Sequence, residues 1–257
     1  MARFLAPLLA STALLLPGCT SAGAPVQSAA SQPAPVSGTE VEEETDAYSF
    51  SYSYPGEANA IPALRAHMER DMEAANAEIV KQAAEAKADA EANDYPFRPH
   101  YLAIGWGVAG DTSGWLSMSA SIETYSGGAH GNHGFDTLLW DKRANVRREV
   151  TNLFISEAAL RDAIRERFCA GLDAERAERR GEPVRRSDEW PDDCIDPFEA
   201  EVLLESEGGQ VFETLTVLIA PYLAGSYAEG SYLVSVPVDA RVLAAVKPEY
   251  RKAFAGG

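Results

Sequence analysis

The chain has 257 residues, room for one large domain or two small ones with a sizeable core, and its 46% hydrophobic and 9% aromatic content excludes wholesale disorder. Lys and Arg total 22 against 39 Asp and Glu, a net charge of -17 that repels phosphate backbones and argues against a nucleic-acid partner. Strong apolarity is confined to one stretch at the extreme amino terminus, so a multi-span membrane protein is excluded.

That stretch runs from Phe4 to Leu16 behind Arg3. It is short for a bilayer span and has the dimensions of a signal-peptide core, so residues 1–18 read as a signal peptide. It ends in Leu16-Pro17-Gly18-Cys19, which resembles a bacterial lipobox. The resemblance implies cleavage before Cys19, a diacylglyceryl group on its thiol and a further acyl chain, such as palmitate, on the new amino terminus. Two or three acyl chains make a firm membrane anchor. Thr20 stands where Asp would signal inner-membrane retention, so the expected location is the cell envelope, on the outer membrane facing the periplasm. Plain secretion is the alternative. Residues 19–46 are rich in Ser, Ala, Pro and Gly and close on the acidic cluster Glu40 to Asp46, a composition expected to form a flexible linker.

Tyr48, Phe50, Tyr52 and Tyr54 alternate with serines, which predicts a half-buried strand stopped by Pro55-Gly56. Pro62 is placed to open a helix reaching about Ala92, with Ile61, Leu64, Met68, Met72, Ile79 and Val80 as its apolar stripe. His100 to Val108 and Trp115 to Tyr125 read as strands joined at Gly110 to Gly114, the second with Leu116, Met118, Ala120 and Ile122 on one face. A further strand spans Phe135 to Trp140. Ser156 can cap a second helix, in which Leu160, Ile164, Phe168 and Leu172 recur every four residues. Strands at Ala200 to Glu205, Val211 to Ala220 and Tyr232 to Val238 follow, then a short helix from Asp239 to Val246. The order β-α-β-β-β-α-β-β-β-α predicts an α+β fold of antiparallel sheets in hairpins with helices packed on one face. Two similar-sized subdomains are expected, 47–145 and 146–257.

Cys169 and Cys194 remain as an even pair in an exported protein, and a disulfide between them is the simplest expectation. Arg176, Arg179, Arg180, Arg185 and Arg186 are set among Glu175, Glu178 and Glu182 and read as a solvated face. Trp106 and Trp115 read first as core, with stacking on sugar rings as the alternative.

The usual catalytic signatures are missing: the sequence contains no G-x-S-x-G elbow, S-x-x-K, H-E-x-x-H or phosphate-cradling loop. Gly105, Gly107 and Gly110 have G-x-G-x-x-G spacing, but they run into a turn and another strand instead of a helix that would receive a pyrophosphate. The dense constellation is Tyr125-Ser126-Gly127-Gly128-Ala129-His130-Gly131-Asn132-His133-Gly134, followed by Phe135-Asp136. Its glycines permit positive φ and close approach of another chain or ligand. Three readings stand open for it. It is a hairpin connection in which His130 bonds backbone carbonyls, a loop that binds a polar ligand or protein, or a metal site built from His130, His133 and Asp136. The last is thin, since structural zinc wants four protein ligands and catalytic zinc three.

The segment Tyr125 to Gly134 resembles the Y-x-G-G-A-H-G segment of the RsiV/PdaC-type extracellular region. Ile219-Ala220-Pro221-Tyr222-Leu223-Ala224-Gly225-Ser226-Tyr227-Ala228-Glu229-Gly230 is similar to that family's P-Y-x-x-x-x-Y-x-x-G segment. The part from Tyr48 through the long helix is similar to the partner domain that usually precedes it. In RsiV this module is the outer part of a membrane-bound anti-sigma factor and binds lysozyme; in PdaC it precedes a deacetylase domain acting on peptidoglycan. The sigma-binding segment and the deacetylase motifs have no counterpart in this sequence, so neither activity is implied. What the resemblance implies is a non-catalytic, cofactor-free envelope module that binds a lysozyme-like protein or a peptidoglycan-derived ligand. The candidate binding residues are Tyr125, Gly127, Gly128, His130, Gly131, Asn132 and Tyr222. A metal-dependent hydrolase on the His130/His133/Asp136 loop is the alternative.

Overall fold

The computed structural model describes residues 36–257. The signal-like run, Cys19 and most of the expected linker lie outside the described residues. Six strands form a first sheet in sequential order: β1 (Thr39–Glu44), β2 (Tyr48–Tyr54), β3 (His100–Asp111), β4 (Trp115–Tyr125), β5 (Asn132–Asp141) and β6 (Val146–Arg148). A second sheet has the order β7 (Glu201–Glu205), β8 (Thr214–Ile219), β9 (Tyr232–Pro237). The α+β class is as read from the sequence, with one correction. Strands β2 and β3 pair in parallel, because a short helix α1 (Gly56–Asn59) and the 31-residue helix α2 (Pro62–Ala92) intervene and return the chain to the same end of the sheet.

The aromatic alternation of β2 dictates where α2 lies. Tyr48, Phe50, Tyr52 and Tyr54 are all buried, in one core with Leu64, Met68 and Ile79 of α2, Leu116 and Met118 of β4, and Leu138 and Trp140 of β5. Inside it the Tyr52 hydroxyl donates to Asp71 at 2.6 Å and accepts from the Trp106 indole at 2.9 Å, so its burial leaves no orphaned polar atom. Both Trp106 and Trp115 are core residues.

Two boundaries differ from the sequence reading. Residues 39–44, expected in the linker, pair with β2 as an edge strand. Donors from elsewhere hold them there: Asn59 donates to Thr39 Oγ1 at 2.9 Å and to the Ser37 carbonyl at 2.8 Å, while Glu43 accepts from the Tyr48 hydroxyl and from Asn76. Glu40, Glu42 and Glu44 remain exposed, and their charges protect the free edge from pairing with another strand. The expected division at 145/146 falls inside a hairpin, since Val146 pairs with Asp141 and β6 carries the first sheet to Arg148.

Helix α3 (Glu157–Arg180) starts at Ser156, whose hydroxyl accepts from the Ala159 amide at 3.0 Å, and stops at Gly181 in the left-handed region at φ 72°. Leu160, Ile164, Phe168 and Leu172 are fully buried in a second core with Val217 and Ile219 of β8 and Tyr232, Val234 and Val236 of β9. Helix α4 (Ala240–Ala245), capped by Asp239, adds Val242 and Ala245. Strand β7 joins the sheets: Thr137 donates to Glu201 at 2.9 Å, and the Ser206 amide donates to the Ala109 carbonyl at 3.0 Å.

The arginine-rich face is the largest correction. Arg176 stands four residues after Leu172, on the apolar stripe, and is fully buried. Its Nε and Nη2 donate to the Ala224 carbonyl at 2.9 and 2.7 Å, and Nη1 donates to the Asp193 carbonyl at 2.8 Å. One turn further, Arg180 donates to Asp192 at 2.5 Å and to Glu229 at 2.8 Å. The expected Cys169–Cys194 disulfide is present and closes the same loop onto α3. Helix, charged loop and the segment before β9 are thereby fastened together. Replacing Arg176→Met keeps the aliphatic stem but removes three charged donors, and is expected to lower stability by about 2–4 kcal/mol in urea unfolding. A change below about 0.5 kcal/mol would show that the guanidinium does not hold the loops.

Candidate functional site

Strands β4 and β5 pair as far as Thr124 with Asn132, and residues 125–131 make the connection between them. Two of its glycines are required by geometry. Gly127 lies at φ 85°, and a Cβ on Gly131 would sit 2.9 Å from the Thr124 carbonyl oxygen. The base of the hairpin is tied by the Tyr125 hydroxyl, which donates to the Gly128 carbonyl at 3.1 Å, and by Arg98, whose Nη1 donates to the same oxygen at 3.1 Å. His130 stands exposed at the tip.

There it meets the second sequence segment. The His130 ring lies against Tyr227, with centroids 3.9 Å apart and planes inclined by 26°, and Tyr222 lies 5.5 Å from Tyr227. His130 Nδ1 is 2.8 Å from the Gly131 carbonyl, and Nε2 is 3.2 Å from the Tyr222 hydroxyl. A carbonyl only accepts, so Nδ1 carries the proton, and in the neutral imidazole Nε2 accepts from Tyr222. One tautomer satisfies both contacts. The Tyr227 hydroxyl donates to the Gly131 carbonyl at 2.7 Å and completes the lock.

Tyr222 has a backbone φ of 73°, a conformation that costs a bulky residue energy, yet half of the residue (51%) faces solvent. Its carbonyl accepts from the Trp190 indole at 3.3 Å, and Trp190 is itself 55% exposed. Tyr222, His130 and Tyr227 therefore form one aromatic strip at the surface, with the exposed Trp190 tied to its Tyr222 end through the backbone carbonyl. Beneath it, Ser226 and Glu229 form a reciprocal capping box around the turn Tyr227–Glu229. Burial alone would raise the Glu229 carboxyl, but hydrogen bonds from Tyr232, Arg180 and Ser226 hold it down at about 2. Arg179 covers the Tyr232 ring at 4.1 Å and donates to the Glu229 carbonyl at 2.6 Å. Three arginines of one helix thus hold the segment that carries both tyrosines.

The remaining sequence candidates are placed differently. Asn132 and His133 begin β5 and are exposed, opposite Thr124 and Glu123. Asp136, three positions after His133, points to the opposite face by strand alternation. Burial pushes the Asp136 carboxyl up, against the pull of Arg147 at 3.7 Å. His130, His133 and Asp136 are therefore not brought together, and among the described residues no three His, Cys, Asp or Glu side chains are grouped for a metal. Tyr227, Trp190 and Arg98 were missed as site residues. Tyr227 stands inside the quoted P-Y-x-x-x-x-Y-x-x-G segment, and Trp190 is the single aromatic in the charged loop between the cysteines.

The arrangement is that of an α+β protein with the fold seen in a DUF3298 family structure. A DUF3298 family protein from Pseudomonas aeruginosa PAO1 superposes with a TM-score of 0.53 at 16% identity, covering 87% of this chain and 98% of that one. A DUF3298 family member from Bacteroides fragilis NCTC 9343 gives a TM-score of 0.49 at 13% identity, covering 79% and 90%. Residues 41–133, from β1 through the glycine hairpin to the start of β5, match the family model described as Deacetylase PdaC. No curated protein matches the sequence.

The support beneath the strip responds to acid. With its folded value near 2 and an ordinary value of 4.5, Glu229 contributes stability that is complete above pH 4.5 and lost as pH falls toward 2. Glu229→Gln is expected to lower stability at neutral pH and to flatten the acid limb of a stability–pH profile over that interval. An unchanged limb would mean that the carboxylate is not held as described.

Proposed function

We propose that this protein is a non-catalytic module of the bacterial cell envelope, anchored by lipid on Cys19 at the outer membrane facing the periplasm, which binds a lysozyme-like protein or a peptidoglycan-derived ligand. The observation that carries this reading is the exposed contact of His130 with Tyr222, two residues 92 positions apart that belong to the two segments singled out in the sequence. Aromatic rings held rigidly at a surface bind with little loss of side-chain entropy, and Tyr and Trp are enriched among residues that dominate interfaces. Their flat faces suit both the apolar face of a sugar ring and the side chains of a protein partner. The net charge of -17 favours a cationic partner and makes association sensitive to salt. Since His130, His133 and Asp136 diverge, recognition fits this surface better than hydrolysis.

Calorimetric titration of the purified chain with lysozyme and with soluble peptidoglycan fragments tests the reading. One of the two is expected to bind, with affinity reduced about tenfold or more by Tyr222→Ala. Binding of lysozyme is also expected to weaken as salt rises. Silence with both, at low and moderate salt, would overturn it. The anchor is tested separately: Cys19→Ser is expected to move the protein from the membrane fraction to the soluble periplasm and to abolish acyl labelling, and retention on the membrane would refute lipidation there.

A further inference from the structure

A second site shares the hairpin but not the aromatic strip. A cavity of about 480 Å³ opens between the carboxyl end of α2, the segment before β3 and the hairpin glycines, and is lined by Tyr95, Phe97, Arg98, His100, Gly127 and Gly128. His100 opens β3 on the face it shares with Leu102 and Ile104, toward α2, and is only 6% exposed. His100 lines the cavity, and its imidazole, with one nitrogen that donates and one that accepts, has no hydrogen-bond partner among the described residues. Burial pulls its pKa down, which keeps the ring neutral.

Arg98 supplies the cavity's positive charge. Its Nη1 is taken by the Gly128 carbonyl and lies 3.4 Å from the Tyr125 hydroxyl, while Nε and Nη2 have no partner among the described residues. No carboxylate pairs with this guanidinium among the described residues, in a chain with 39 acidic side chains. Next to it, the Gly127 and Gly128 amides donate no hydrogen bond among the described residues, and both glycines line the cavity with backbone alone. Phe97, whose ring centroid is 6.0 Å from that of His100, and Tyr95, 48% exposed, provide an apolar side.

We propose that this cavity binds a small organic carboxylate with an apolar or ring-shaped body. The carboxylate is received by Arg98 and the glycine amides, the body lies against Phe97 and Tyr95, and His100 hydrogen-bonds a polar group beside it. A single planar guanidinium with neighbouring amides matches the planar carboxylate and its two oxygens. The carboxyl terminus of a short peptide and an acidic sugar both present that chemistry. The site is separate from the His130–Tyr222–Tyr227 strip, so it stands whatever that strip recognises.

The test titrates the full chain with phenylacetate, acetyl-alanyl-alanine and glucuronate, with phenylacetamide as the uncharged control, and reads heat together with the Gly127 and Gly128 amide resonances. At least one carboxylate is expected to bind and to shift both resonances, with phenylacetamide about tenfold weaker or worse. Preference for the peptide or for the uronate identifies the source. Arg98 lies at the surface, so Arg98→Gln is expected to leave the fold intact and weaken the carboxylate about tenfold or more. His100→Gln, which keeps a polar group, is expected to weaken it less, and Tyr222→Ala should have no effect. No shift with any carboxylate at about 10 mM, equal binding of phenylacetamide, or indifference to Arg98→Gln would each overturn the proposal.

Discussion

A buried guanidinium is the constraint on which the surface of this protein depends. Arg176 occupies a position on α3 that the helical period assigns to the core, and it is tolerated there because two backbone carbonyls from separate loops accept its hydrogen bonds and the Asp173 carboxylate lies 3.7 Å from its Nη1. Those carbonyls belong to the loop closed by the disulfide and to the segment that carries Tyr222 and Tyr227. Arg176 is the buried member of a set that also includes the Cys169–Cys194 disulfide and the contacts of Arg179 and Arg180 with Glu229 and Asp192, and together they frame the left-handed backbone at Tyr222. The outermost rings are therefore held partly by groups beneath them and partly by their own hydrogen bonds at the surface.

The glycine hairpin works on top of that foundation. It extends beyond the last rung of β4 and β5, where neither core reaches, and each of its limbs serves a different neighbour. The first limb, with Gly127 and Gly128, borders Arg98 and the cavity that contains His100. The second, with His130 and Gly131, closes on the two tyrosines. Glycine is needed at its turns for backbone reasons, and its absence of side chains is what leaves room for both neighbours.

Local periodicity made much of the fold legible. The serine–aromatic alternation of β2, the proline at the start of α2, the Ser156 cap and the single apolar face of β4 are each written within a dozen residues or so. The meeting of His130 with Tyr222 and Tyr227 was not readable in the same way, because a contact across 92 positions leaves no local trace, although both segments stood out as motifs. Arg176 was open to discovery: counting fours from Leu160 through Leu172 lands on it, and only its charge argued for solvent. Strand β1 was hidden by its acids, of which Glu43 takes its hydrogen-bond donors from Asn76 and Tyr48 outside the strand. His133 and Asp136 looked like neighbours while the strand was expected to begin only at Phe135, but it begins at Asn132, and a spacing of three then puts them on opposite sides.

The edge position of β1 also decides how the molecule meets tension. The chain leading to Thr39 enters the sheet beside Tyr54, next to the amide of Asn59. A pull along the strand axis shears six residue pairs at once, whereas a pull across the sheet peels them in succession from the Thr39 end. Any load transmitted through the leading segment is thus borne best in one direction, and the body is mechanically anisotropic where that segment enters the sheet.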